Sequence, residues 1–125
     1  PLVDGTADSK PLALAQIRSR LQRVDNLVAL GETEGAFLTL WSLLEAVLRR
    51  RAEEVQLPLE RLDTSTLINH LYSQGELSIE QFDVVMELRD IRNAAAHGFA
   101  TPNLPAALPK LRNLVAELIH YWWPD

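Results

Sequence analysis

One segment limits what this chain can fold into more than any other. From Ala36 to Gln56 it places Phe37, Leu38, Leu40, Trp41, Leu43, Leu44, Val47 and Leu48 around most of a helix's circumference. A helix that is apolar nearly all round cannot lie on a surface; other elements must surround it. Only Thr39, Ser42, Glu45 and Arg49 form a narrow polar strip along it. The expected fold is therefore all-α, an antiparallel bundle of four to five helices with this one at its centre.

The neighbours follow from apolar spacing and from stop signals. Leu14, Ile17, Leu21, Val24 and Val28 recur at three- and four-residue intervals, which predicts a helix over 11–30 with Ser9 as its cap and Gly31 as its stop. A short helix is expected over 65–74, capped by Asp63 or Thr64 and stopped by Gly75. Ser78 and Gln81 form an S-x-x-Q capping box, with Leu77 placed to staple onto Phe82. That helix should run to His97, where Gly98 can take the left-handed stop position. The last helix should begin near Pro105 or Pro109, since proline suits a first turn and kinks an interior. Trp41, Leu44, Leu48, Phe82, Met86, Leu114 and Leu118 are the expected core.

Along the helix that ends at His97, Ile79, Phe82 and Met86 form one apolar stripe. Val84, Leu88, Ile91 and Ala95 form a second, on nearly the opposite side. One stripe faces the domain's own core. The other needs the remaining helices or a second chain, and the Ala94-Ala95-Ala96 run would admit a neighbouring backbone closely.

The 125 residues suit one domain. We read residues 1–10 as a polar linker or tail and 11–123 as the folded unit. The chain opens on Pro1 and its one methionine is Met86, so it is expected to be part of a longer protein. There is no cysteine, which removes disulfides and thiolate metal sites from consideration and suits a reducing, cytoplasmic setting. No apolar run approaches the roughly 20 residues needed to cross a bilayer, so no membrane partner is expected. The three histidines fall on three different expected helices, so no metal is expected, and no glycine-rich phosphate loop or other cofactor signature is present. A net charge of −5 means that any nucleic-acid contact must be local rather than steered from afar. The Arg49-Arg50-Arg51 run reads as a solvated helix end, and Tyr121-Trp122-Trp123 as a cluster that closes the core at the chain's end.

The run Glu87 to Gly98 reads ELRDIRNAAAHG. Arg92 and His97 stand five apart and the polar Asn93 follows the arginine. This resembles the R-x4-6-H motif of HEPN domains, and its placement agrees: it ends the penultimate long helix of a small all-α domain and is followed by glycine and one further helix. The segment WSLLEAVLRR, with Glu45 among apolar residues, also looks like a helix of many HEPN relatives. The resemblance spans about residues 11–122. It implies a HEPN-like bundle that forms homodimers, with the two motifs lining a shared cleft. It further implies metal-independent endoribonuclease chemistry, in which an RNA 2′-hydroxyl attacks the adjacent phosphorus. His97 would then be general acid or base, Arg92 would hold the phosphate, and Asn93 would orient one of them.

Those residue types suit those roles. Histidine titrates near neutrality and can both take and give a proton. Arginine stays charged and offers phosphate a planar fork. Other readings stand beside this one. Arg92 could pair with Glu87 or Asp90 on the surface, His97 could serve only the helix dipole, and Glu45 with Arg49 makes an i,i+4 pair, which we favour over catalysis for Glu45. Geometry also imposes a condition. In a straight helix residues five apart point about 140° from each other, so Arg92 and His97 converge only if the helix loosens before His97 or a second chain completes the cleft. RNA and a second copy of the chain are thus the candidate partners. The competing function is a catalytically silent HEPN-like module that binds RNA or a nucleotide, or that dimerises a larger protein; an unrelated helical bundle used for protein contact is a third.

Overall fold

The computed structural model describes residues 11–57 and 63–124. The tail read at 1–10 and the Ser9 cap lie outside the described residues. Five α-helices follow in order: α1 Leu14–Ala29, α2 Thr33–Glu54, α3 Thr64–Ser73, α4 Ile79–Ala96 and α5 Leu104–Trp122. No strand occurs among the described residues.

Helix α2 is the hub. It packs against every other helix, most extensively α5 and α1, then α3 and α4. Its apolar girth explains this: Phe37, Leu40, Leu44, Val47 and Leu48 are fully buried, and Trp41 and Leu43 are 2% exposed. Around it α5 contributes Leu111, Leu114, Val115 and Leu118, α3 contributes Leu67, Ile68 and Leu71, and α1 contributes Ile17 and Val24.

The helix ends share one device. After α1, α3 and α4 a glycine at φ near +80° carries the chain out, at Gly31, Gly75 and Gly98. Each is closed by paired backbone bonds from the glycine and the next residue, such as Gly98 N to Ala95 O and Phe99 N to Ala94 O. Helix α2 ends the same way with Gln56, φ +62°, where glycine would normally sit. At the starts, Asp63 accepts from Thr66 N, and Ser78 with Gln81 makes both bonds of the expected capping box.

Several expectations need adjustment. Helix α5 starts at Leu104, with Pro105 in its first turn, and continues through Pro109. Both prolines are exposed, so the Pro105 carbonyl that lacks its usual donor at position 109 faces solvent. Phe82 and Met86 are only partly buried, while Val85 and Leu88 of the same helix are fully buried. The second stripe is thus the one that faces the core, with Leu88 and Ala95 buried, Val84 and Ile91 packed against it and Val85 added on its flank. Phe82 stacks on Tyr72, with ring centroids 4.5 Å apart, and Ile79 is 48% exposed.

The basic run at the end of α2 is not simply solvated. Arg51 pairs with Glu76 at 2.8 Å and lies over the Trp122 ring. Arg50 donates to the Leu12 carbonyl and lies over Trp123, whose indole N–H donates to Glu54. These contacts bind the end of α2 to the end of α5. Trp122 is buried as expected of a core closure, Trp123 is half-buried, and Tyr121 is 70% exposed.

Candidate functional site

Helix α4 carries Arg92, Asn93 and His97 to its C-terminal end, on the side of the bundle where α4 turns into α5. The helix does not loosen before His97. The His97 N–H still donates to the Asn93 carbonyl at 3.1 Å, and His97 itself is the cap at φ −99°, ψ 10°. Arg92 and His97 therefore leave the helix in different directions, and the condition for their meeting within one chain through an early helix end is not met.

Asn93 stands between them. It lies one turn before His97 on the same face, and its Oδ1 accepts from Arg92 Nη1 at 3.1 Å. That bond draws the guanidinium round the helix toward the His97 side. Neither carboxylate that was set to neutralise Arg92 does so: Glu87 is held by Lys110 at 3.3 Å across to α5, and Asp90 lies 3.5 Å from Arg89. Arg92 is half-buried, and among the described residues its side-chain partner is the neutral Asn93 amide. The His97 ring is exposed, and its imidazole makes no hydrogen bond or ion pair with the described residues. A fixed positive charge without a carboxylate thus sits on the same helix end as an accessible imidazole.

One cleft of about 210 Å³ borders the motif and is lined by Asp90, Ile91, Ala94 and the loop residues 100–103. A larger one, about 550 Å³, lies away from it between the start of α4 and α5, lined by Glu80, Lys110 and Glu117 among others.

Glu45 lies elsewhere and has a structural partner: the Thr64 hydroxyl at the start of α3 donates to its carboxylate. Beside it Arg89 reaches the Ser65 hydroxyl. Asp63 is held below the ordinary carboxylate range, chiefly by the Thr66 hydroxyl and backbone N–H, with Arg49 and Arg89 adding to the effect. This polar knot, which ties α3 to α2 and α4, has no simple spacing in the sequence, because its members come from three helices. Among the described residues no group of three or more His, Cys, Asp or Glu side chains is placed to hold a metal ion, and no helix is long and apolar enough to cross a membrane. Comparison of the chain with protein-family models, curated proteins and solved structures finds no match.

Proposed function

We propose that this helical domain is a HEPN-like, metal-independent endoribonuclease module that works as a homodimer, with His97 as general acid or base, Arg92 as the phosphate holder and Asn93 as the group that orients Arg92. One observation carries the reading. An arginine that has no carboxylate among its described partners is tied by Asn93 toward the face of an exposed histidine. A structural arginine would be expected to lean on Glu87 or Asp90, and both carboxylates are engaged by other cations.

The dimer rests on the resemblance to HEPN domains: each copy offers a charge and an imidazole, and the substrate would be gripped between the two copies. In the reaction, one imidazole takes the proton of the 2′-hydroxyl as it attacks the adjacent phosphorus. Another imidazole, or water, protonates the departing 5′-oxygen. The guanidinium stabilises charge gathering on the non-bridging oxygens. The products are a 2′,3′-cyclic phosphate and a 5′-hydroxyl.

The test is cleavage of single-stranded RNA with a divalent chelator present. Cutting should persist, should stop with His97→Ala, and should stop when the nucleotide 5′ to the scissile phosphate is replaced by its 2′-deoxy form. Arg92→Lys should lose most activity, because an ammonium does not reproduce the planar fork. Abolition by chelation would overturn the mechanism. The second reading, a silent HEPN-like module for RNA binding or dimerisation, draws on the different directions in which Arg92 and His97 leave an unbroken helix and on the net charge of −5. A stable dimer with no cleavage would select it.

A further inference from the structure

We propose that Phe99 is a stacking platform for a nucleobase of single-stranded RNA held at the Arg92–His97 site. The proposal rests on the reading of that site as an RNA site and adds the contact that gives it affinity.

Phe99 is 69% exposed, two residues beyond His97. Its backbone is not loose: its N–H donates to the Ala94 carbonyl at 2.9 Å, and Gly98 at φ +80° fixes the turn. In this type of helix end the residue after the glycine usually packs an apolar side chain against the residue whose carbonyl it binds. Here that residue is Ala94, which offers one methyl group, so capping does not account for a bulky ring left in water. The Phe99 backbone is thus held two residues from the histidine, and its ring is left open.

Position singles it out from other exposed aromatics. Tyr121 borders the cleft at Gly75 and Ser78, and Tyr72 is stacked on Phe82. Both lie toward the start of α4, about 20–25 Å from His97 along a helix of that length. Of the exposed aromatic side chains among the described residues, Phe99 is the one at the motif's end of α4.

Electrostatics supplies the need. The chain's net charge of −5 provides no long-range pull on a polyanion, and the motif offers one guanidinium per chain. Affinity must then come from contacts that do not depend on charge. Stacking on an aromatic face is such a contact and accepts any base.

The experiment uses the full chain with His97→Ala, which cannot cut, and a fluorescein-labelled single-stranded oligoribonucleotide of about a dozen nucleotides. Binding is read by anisotropy. Adding Phe99→Ala should weaken binding about 5- to 100-fold, and Phe99→Trp should restore it to within about twofold. An abasic oligomer of the same length should bind equally well whether or not the chain carries Phe99→Ala. Circular dichroism and the urea midpoint should not move, because the ring lies outside the core. Equal RNA binding with and without the Phe99 ring overturns the proposal, as does an absence of binding to the parent chain. A shift of Phe99→Ala from dimer to monomer in sedimentation also overturns it, since the ring would then belong to a contact between copies. If binding depends on Phe99 yet the His97-intact chain cuts no RNA, the stacking site stands and the catalytic reading falls. If the chain cuts RNA with an unchanged KM in Phe99→Ala, the reverse holds.

Discussion

Three residues show how much a single position can decide in this molecule. Gln56 closes α2 in the left-handed region at φ +62°, where a side chain costs about 1 kcal/mol that glycine would avoid. Gln56→Gly should therefore raise the unfolding free energy, read as a higher urea midpoint, by up to about 1 kcal/mol less the added entropy of an unfolded glycine. Gly98→Ala should do the opposite and cost about 1 kcal/mol. A Cβ there meets nothing within 4 Å, so the whole effect is backbone conformation rather than collision. Trp41, 2% exposed at the centre of the hub helix, should cost roughly 3–5 kcal/mol when cut to alanine. Legibility in the sequence differed among these three. Gly98 and Trp41 announce themselves by residue type. Gln56 does not, because nothing in the letters around it distinguishes a strained glutamine from a helical one.

At the level of elements, local signals were read well and partners across space were not. Ser78 and Gln81 declare their capping box within four letters, and both bonds form. Ser78→Ala should cost about 1 kcal/mol, seen as a lower thermal midpoint with α4's amides exchanging faster. Of the two stripes on α4, the helix buries the second, through Leu88 and Ala95, and widens it with Val85, which the spacing did not single out. The reason is that α4 touches three helices, so its inward direction is set by where α2, α3 and α5 lie rather than by its own periodicity. The same holds for Arg50 and Arg51. A basic run at a helix end reads as solvated until the tryptophans about 70 residues later come to lie beneath it. At the candidate site the string gave the residues, and the coordinates gave the relation among them: Asn93 joins Arg92 to the side of His97, and the expected carboxylate partners are occupied elsewhere.

The whole molecule is a set of helices gathered on α2, and α1 is the least shared among them. Among the described helices it packs closely on α2, and a two-pronged bond from Arg112 to Asp25, at 2.9 and 3.0 Å, ties it to α5. The Arg112 hydrogen bond holds the Asp25 carboxyl below its ordinary range against the opposing effect of burial. A carboxylate depressed in the folded state contributes its stability above the unfolded value near 4 and loses it as pH falls through the lower folded value. Both partners are about a third exposed or more, so Arg112→Ala should cost no more than about 1 kcal/mol at neutral pH. That difference from the parent chain should fade in titrations carried below pH ~4. Attachment of this kind also orders how the molecule comes apart. A helix packed mainly on one neighbour can lift away, once the Arg112–Asp25 bond opens, while the hub keeps its contacts with α3, α4 and α5. The chain should then have two rungs of opening: amide protons of α1 trade with solvent through a partial release, and those in the middle of α2 wait for the entire bundle to dissolve.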